Sequence, residues 1–574
     1  MAGSIARTIL EHGAWVEEHL EEEIELRKNA IGGLDHMWLH LSSISSFNPV
    51  CAAIWTFSDI IDDKKIHETM LRQVDAFPKY KQILVNRGRR WHGATFVDDP
   101  NWDVHRHLSK QKLPGAAGRQ ELDDFTAEFI AQEWDFSKPL WELVYFDNYQ
   151  NGDQKGGAIV VRGHHTLTDG QGFVMSQLFI SSYGPELERM INEGSKTIKA
   201  ARRGTAQPSK VHKALKPLDK YQNLLVLQLA MFALFWAIWL GSTFLEVLGS
   251  ISQAASFVFY YLTSSWRQRY LTSDYVGERV KKREFATSKS FPIDDVKKLQ
   301  KAFGGPTPGG WREALQGGRK AKSWWGHLTL NDVLCTIIAD VMVDEIDHQE
   351  PVDVPGLLPW LKRSVNRILP NPLCLLIPIS IRPVANWQMQ NWSTGSLAWI
   401  PSPSANEGLA MGAKAMHRRL HEAARELSVL KNGILPRLAF YLIQISGQAP
   451  ILFPHPSLWT PVQSFVRAYL AYAVEAQVAI VTNVPGPQGG HITLADAQVE
   501  EWSASPPQGG KGTLGIGIIS YNGNVCITIA ADHVEGAPSE GVARRLTDAF
   551  ERRWAQYLET ADQILKRAET SRKF

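Results

Sequence analysis

The chain has 574 residues, of which 44% are hydrophobic and 21% are charged. This composition excludes a disordered chain and a small disulfide-stabilised domain, and it predicts one or more large hydrophobic cores. Lysine and arginine (61) barely outnumber aspartate and glutamate (59), so we expect no nucleic-acid partner, because proteins that neutralise phosphates carry a clear basic excess. The four cysteines lie far apart without a CxxC pair, which predicts buried free thiols in a reducing compartment.

Residues 1–195 show mixed helix and strand patterns. A charged helix is predicted at 17–27, and the early acidic residues argue against a secretory signal and favour a cytosolic location for most of the protein. Residues 65–83 place apolar side chains at helical spacing until Pro78 interrupts them, whereas 157–163 are predicted to form a buried strand bounded by glycine.

Directly after that strand the chain reads His164-His165-Thr166-Leu167-Thr168-Asp169-Gly170. A metal site is the weaker interpretation, because adjacent side chains at the end of a strand point to opposite faces and no matching Cys or His cluster occurs elsewhere in the sequence. A catalytic base requires only one imidazole, oriented by nearby polar groups, and fits the spacing better. A structural histidine pair is the alternative.

Residues 196–285 are predicted to be a basic linker that contains an apolar segment at 224–266, where Glu246 is the one charged side chain. A membrane hairpin with its bend at Gly249-Ser250 fits the basic residues at both ends, which predict that both lobes face the cytosol. The alternatives are one span at about 224–245 followed by an interfacial helix, or a pair of buried core helices. We expect membrane contact.

Residues 286–574 are predicted to form a second mixed lobe. Inserted loops are expected at 304–326 and 351–359, and an amphipathic helix at 407–430. The single glycosylation sequon, Asn391-Trp392-Ser393, is expected to be unmodified.

The histidine motif resembles the HHxxxDG motif of CoA-dependent acyltransferases, and the chain as a whole resembles the wax ester synthase/diacylglycerol O-acyltransferase family within that superfamily. Further blocks that are similar to those of the family follow in the expected order: Asp135 to Glu142, Leu330 to Leu334, Pro378 to Pro383, Thr482 to Pro487, and Ser520 to Gly523 with Asp532.

The resemblance implies an α/β fold of two chloramphenicol-acetyltransferase-like lobes that form a pseudo-dimer with a substrate channel between them. It also implies transfer of a fatty acyl group from acyl-CoA to a long-chain alcohol or to diacylglycerol, in wax ester or triacylglycerol biosynthesis, with no cofactor and no metal. A condensation-type enzyme that uses carrier-bound substrates and an inactive lipid-binding scaffold are the alternatives. The expected location is the endoplasmic reticulum membrane, with catalytic lobes facing the cytosol, or the lipid droplet surface.

The resemblance also assigns the candidate site. His165 is the expected general base, in a catalytic motif with His164, Asp169 and Gly170, and Asp169 is expected to pair with Arg382, since an arginine after an apolar run requires a partner if buried. Asn331 or a backbone amide near Gly170 is the candidate oxyanion donor. Asn331 and Asp332 are also expected to support the site and to cap the helix that follows. The expected channel residues are Gly172, Pro139, Leu140, Trp141, Asn483 and Ser520.

Overall fold

The computed structural model of the protein describes residues 13–14, 31–45, 47–87, 94–152, 154–202, 224–264, 271, 280–304, 328–349, 357–366, 372–383, 385–402, 412–446, 461, 464, 468, 477–510 and 512–570. The predicted charged helix at 17–27, the inserted loop beyond residue 304 and residues 351–356 lie outside these ranges.

A six-stranded sheet forms the centre of the first lobe, in the order β12-β13-β1-β6-β5-β4. Adjacent strands in this sheet are antiparallel, except for β4 and β5, which are parallel to each other. The strands are β1 (Val50–Phe57), β4 (Leu108–Gln111), β5 (Trp141–Asn151), β6 (Gln154–His164), β12 (Thr493–Leu494) and β13 (Ala497–Ser505). Every residue of β1 is buried because the alternating side chains of the strand enter two different cores, one on each face of the sheet.

A second sheet has the order β10-β9-β11-β14-β15-β7, with β8 paired to β15. Its strands are β7 (Arg283–Thr287), β8 (Phe291–Pro292), β9 (Leu373–Ser380), β10 (Ser393–Ile400), β11 (Ala479–Pro485), β14 (Leu514–Tyr521) and β15 (Asn524–Asp532). The pairs β9–β11 and β11–β14 are parallel. A small separate sheet pairs β2 (Gln82–Val85) with β3 (Thr95–Asp98).

Helices cover the sheets and connect them. They are α1 (Gly33–Ser45), α2 (Asp63–Ala76), α3 (Arg119–Ala131), α4 (Gly170–Phe179), α5 (Gly184–Arg202), α6 (Leu225–Ser264), α7 (Ile293–Phe303), α8 (Leu330–Gln349), α9 (Leu357–Asn366), α10 (Ala413–Asn432), α11 (Leu435–Ser446) and α12 (Val542–Thr570). The predicted helix at 65–83 is confirmed as far as the residues before Pro78. It begins at Asp63 and is capped by Asp62, whose side chain accepts hydrogen bonds from the N–H groups of Lys64 and Lys65. The predicted strand at 157–163 lies within β6, and the predicted helix at 407–430 corresponds to α10.

Elements from one half of the chain pack into the lobe formed mainly by the other half. The pair β12–β13 comes from the C-terminal half of the chain but extends the N-terminal sheet, since β13 pairs with β1 over Ala52↔Ser505 to Phe57↔Val499. In addition, α1 packs against α11 in a small core that contains Leu34, Met37 and Phe440. The fold is therefore mixed α/β, with a sheet in each half and elements of both halves at the junction.

The apolar segment forms one long helix, α6, that runs continuously through Gly249-Ser250. The predicted bend at this position is therefore wrong. The helix is also not a pair of buried core helices, because many of its large apolar side chains are exposed, among them Val226 (80%) and Leu245 (68%). Its second half contacts the C-terminal lobe, where the Ser250 hydroxyl accepts a hydrogen bond from the Ile434 N–H at 3.2 Å. Among the residues that the structure describes, no helix combines the length and the apolar character that crossing a bilayer requires.

Candidate active site

The histidine motif connects the end of β6 to the start of α4. The two histidines lie in different surroundings, as expected for successive residues at the end of a strand. His164 is surrounded by aromatic rings, with Trp134 and Phe136 edge-on at 5.7 and 5.9 Å, and its Nδ1 accepts a hydrogen bond from the Thr166 N–H. His165 instead borders a cavity. In the described part of the chain, no group of three or more His, Cys, Asp or Glu side chains could hold a metal ion.

The cavity has a volume of about 1430 Å³ and lies between the lobes. Most of its lining is apolar, with Leu34, Met37 and Trp38 contributed by α1 and further side chains by α11 and by the second half of α6. Gly170 and Asn483 also border it. The size and the apolar lining of the cavity suit a long apolar chain. Polar side chains also line it, among them Arg382, Ser393 and Asn483.

The ring of His165 is almost completely buried and stacks on the indole of Trp38, with ring centroids 3.7 Å apart and planes at 24°. Burial lowers the pKa of His165 to about 4, because a charged ring loses its hydration. The Asp169 carboxylate, the carbonyl group of His165 and the side chain of Asn391 act in the opposite direction. The imidazole is therefore neutral near pH 7 and able to accept a proton.

Asp169 stabilises the start of α4 and the loop around His165. Its carboxylate is fully buried and accepts hydrogen bonds from the Gly172 N–H at the helix start, the Trp392 N–H and the Ser393 hydroxyl, at 2.8 to 2.9 Å. The predicted pair with Arg382 forms: Arg382 Nη2 lies 2.7 Å from Asp169 Oδ1. The same guanidinium donates to the carbonyl groups of Gln388 and Gln390, both at 2.8 Å. This network joins the histidine loop of the first lobe to the chain that precedes β10 in the second.

Comparison with known families agrees with this arrangement. The sequence pattern of the wax ester synthase/diacylglycerol acyltransferase catalytic domain matches residues 31–307, and that of the C-terminal domain of the same family matches residues 408–552. The chain belongs to this family.

Individual relatives match over shorter stretches. A putative diacylglycerol O-acyltransferase of Mycobacterium tuberculosis is 24% identical over 144 residues, which are 24% of this chain and 28% of that protein. Wax ester synthase/diacylglycerol acyltransferase 7 of Arabidopsis thaliana is 23% identical over 130 residues, 22% of this chain and 26% of that protein. The matched segments thus span less than a third of these relatives. The structure of the wax ester synthase/diacylglycerol acyltransferase from Marinobacter aquaeolei VT8 superimposes with a TM-score of 0.50 at 15% identity, over 93% of this chain and 99% of that one, which shows a shared fold.

Several residues that were predicted to line the substrate channel do not border the cavity. Gly172 does not border the cavity: a Cβ atom there would lie 2.0 Å from Thr168 Oγ1 and 2.9 Å from Arg382 Nη2, so this glycine permits close packing beneath the Asp169–Arg382 pair. Ser520 is buried away from the cavity, and its hydroxyl accepts a hydrogen bond from Gln488 Nε2.

The Pro139-Leu140-Trp141 block is also not part of the cavity wall. Leu140 and Trp141 are fully buried in the N-terminal lobe. The indole of Trp141 donates to the Tyr80 carbonyl at 2.7 Å and stacks on the His107 ring at 4.7 Å. Core packing is therefore what the structure shows for this block, and of the predicted channel set only Asn483 borders the cavity.

Asn331 and Asp332 lie at the start of α8. Thr329 and Asp332 cap this helix reciprocally: the Thr329 N–H donates to Asp332 Oδ2 at 2.6 Å, and the Asp332 N–H donates to Thr329 Oγ1 at 3.3 Å. Asn331 does not border the cavity, but its Oδ1 accepts a hydrogen bond from Asn483 Nδ2. Asn331 thus reaches the cavity wall through Asn483.

Sequence reasoning missed a group of residues around the histidine loop. Asp35 of α1 accepts hydrogen bonds from the backbone N–H and Nδ2 of Asn391, at 3.1 and 2.6 Å. Lys79 Nζ lies 3.7 Å from Asp35 Oδ2 and donates to the Leu167 carbonyl at 3.0 Å. Asn391 belongs to the glycosylation sequon that was expected to be unmodified, and it is 2% exposed. The signal that could have indicated this group is Asp35, the one acidic residue of α1.

Proposed function

We propose that the protein transfers a fatty acyl group from acyl-CoA to the hydroxyl of a long-chain alcohol or diacylglycerol, with His165 as the general base. The observation that carries this proposal is a neutral imidazole, buried at the wall of a large apolar cavity between the lobes. Membership of the family supports the reaction class. No cofactor enters the proposed reaction, and acyl-CoA is the co-substrate.

The reaction needs a base because an alcohol is a poor nucleophile at neutral pH until its proton is removed. In the proposed step, His165 takes the hydroxyl proton as the alcohol oxygen attacks the thioester carbonyl. The tetrahedral intermediate then collapses with cleavage of the carbon–sulfur bond, and the departing CoA sulfur receives the proton from His165. The products are the ester and free CoA, and His165 returns to its neutral form.

The negative oxygen of that intermediate requires a hydrogen-bond donor. Asn331 is a poor candidate, since it does not border the cavity and its Oδ1 is engaged by Asn483. The first N–H groups of a helix have no intrahelical acceptor, and α4 begins at Gly170, which borders the cavity beside His165. We therefore assign the donor to the backbone at the start of α4.

The proposed location is a lipid surface, at the cytosolic face of the endoplasmic reticulum or on lipid droplets, with attachment through apolar side chains that do not span the bilayer. Exposed apolar side chains of α6 are accompanied by those of α11, where Leu438 and Leu442 are 48% and 57% exposed. These two leucines also border the cavity, so the space next to His165 opens onto the same apolar surface. Large exposed apolar surfaces are typical of membrane or protein contacts.

The test is to incubate purified protein with labelled palmitoyl-CoA and either hexadecanol or diacylglycerol, and to separate the lipid products. We expect wax ester or triacylglycerol from the wild type and a loss of at least about 100-fold in kcat for His165→Ala. The matched control is His67→Ala, which removes a histidine of α2. Equal activity of the wild type and His165→Ala would refute the assignment of the base, and the absence of any ester from the wild type would refute the proposed reaction.

A further inference from the structure

Two buried polar atoms of the site lack a hydrogen-bond partner among the described residues: Nδ1 of His165 and Oδ1 of Asn391. The two residues are 7% and 2% exposed. A buried donor or acceptor without a partner is costly, so unpaired polar atoms in a native structure require an explanation. The two residues are in contact, because Asn391 Nδ2 donates to the His165 carbonyl at 2.8 Å. After that carbonyl, the Asn391 side chain is a further group that raises the pKa of His165.

The orientation of the Asn391 amide is determined by its other contacts. Its Nδ2 donates to Asp35 Oδ1 at 2.6 Å and to the His165 carbonyl at 2.8 Å. A carboxylate and a carbonyl oxygen can only accept hydrogen bonds. The amide nitrogen of Asn391 must therefore be the atom that faces these two oxygens, and the amide oxygen must face away from them. Oδ1 of Asn391 is thereby left as the free acceptor of the side chain.

Asp35 is itself held in place by contacts with Lys79 and Thr166. Lys79 lies 3.7 Å from the second carboxylate oxygen, and the Thr166 hydroxyl donates to the Asp35 backbone carbonyl at 3.4 Å. One helical turn after Asp35, Trp38 stacks on the His165 ring. Helix α1 therefore contacts the ring directly through Trp38 and indirectly through Asp35 and Asn391.

We propose that Asn391 is the positioning residue of His165: its Oδ1 accepts a hydrogen bond from Nδ1–H, and Asp35 holds the amide in the orientation that makes this possible. This inference rests on the proposed function of His165 as the base. A hydrogen bond at Nδ1 keeps the lone pair on Nε2, where a proton is to be accepted, and it strengthens when the ring becomes an imidazolium. Catalytic hydrogen bonds that are long without substrate commonly shorten when the substrate is bound.

The test compares Asn391→Ala with Asn148→Ala. Asn148 is a matched control in β5, because it also uses both amide atoms, in hydrogen bonds to the Leu113 backbone at 2.8 and 3.0 Å. We expect Asn391→Ala to lower kcat by about 100-fold while the KM for palmitoyl-CoA changes by less than about 3-fold. Asn148→Ala should leave kcat within about 2-fold of the wild type. A wild-type kcat in Asn391→Ala would overturn the proposal.

A second variant, the exchange Asn391→Asp/Asp35→Asn, tests the contact itself. The amide at position 35 supplies a donor to the carboxylate oxygen that replaces Asn391 Nδ2, so the carboxylate at position 391 stays ionised. This negative charge lies closer to Nδ1 than that of Asp35 does in the wild type, so it stabilises the imidazolium and should raise the pKa of His165 by about one unit or more. The readout is the rate at which diethyl pyrocarbonate modifies His165 as a function of pH, followed by mass spectrometry of the peptide, since only the neutral ring reacts. Asn148→Asp is the control. Unchanged titration of His165 in Asn391→Asp/Asp35→Asn would overturn the proposal even if the wild type proved to catalyse another reaction.

Discussion

Replacing Arg382 by methionine removes the positive charge that lies against the buried carboxylate of Asp169. Both side chains are almost inaccessible, 3% and 0% exposed, so the pair is shielded from bulk water. Removing one member of a buried ion pair costs about 3 to 5 kcal/mol, because the other charge is left uncompensated.

The structure places the expected cost near the lower end of that range. Asp169 keeps three donors after the substitution, the N–H groups of Gly172 and Trp392 and the hydroxyl of Ser393. The variant also loses the two bonds from the guanidinium to the Gln388 and Gln390 carbonyls. We therefore expect Arg382→Met to lower the free energy of unfolding by about 3 kcal/mol. Arg382→Lys should recover only part of this loss, because one ammonium group cannot reproduce the planar fork.

The assay is urea unfolding followed by tryptophan fluorescence, on the two Arg382 variants and on the double variant Asp169→Asn/Arg382→Met. In the double variant both charges of the pair are removed, so its destabilisation should be smaller than the sum of the single effects by at least about 1 kcal/mol. A loss below about 1 kcal/mol in Arg382→Met, or strict additivity in the double variant, would contradict the argument.

Three further predictions concern other parts of the molecule. Gly172→Ala should lower the free energy of unfolding by about 1 to 3 kcal/mol in urea titrations, since its Cβ would overlap Thr168 Oγ1 at 2.0 Å, and an unchanged transition would contradict this packing. The folded state holds His164 neutral with a pKa of about 3, whereas the unfolded state takes up a proton below about 6.5, so stability is lost as the pH falls. Between pH 7 and 5 the loss should be about 2 kcal/mol smaller in His164→Asn than in the wild type, and equal losses would exclude this residue as the cause. Finally, Val226→Glu/Leu245→Glu should reduce flotation with phosphatidylcholine vesicles at least about 10-fold without changing unfolding, and undiminished flotation would place the lipid contact elsewhere.

The parts of the fold that local patterns specify could be predicted from the sequence. The glycine-bounded apolar run gave β6, and the motif that follows it was correctly expected to direct His164 and His165 to different surroundings, because side chains alternate along a strand. The Asp169–Arg382 pair joins residues that are 213 positions apart. It was predicted because a buried arginine requires a partner and because the resemblance to the family indicated which carboxylate it was.

No local sequence pattern predicts the remaining contacts of the site. Asp35 and Asn391 are separated by 356 positions, and neither residue type nor spacing indicates that one orients the other. Leu140 and Trp141 were wrongly assigned to the channel because a large apolar side chain suits a lipid tunnel and a protein core equally well. The composition of α6 likewise indicated an apolar segment but not whether it bends, since Gly and Ser are tolerated within a helix.

The pairing of β1 with β13 affects how the protein must be made. Strand β1 ends at Phe57, and its partner β13 ends at Ser505, so the first lobe cannot complete its sheet until nearly all of the chain has left the ribosome. Until then, one edge of β1 offers unpaired backbone groups to other chains, which is a typical route to aggregation. A fragment that ends before β13 should therefore fold poorly by itself, and slow or chaperone-assisted synthesis should improve the yield of the full chain.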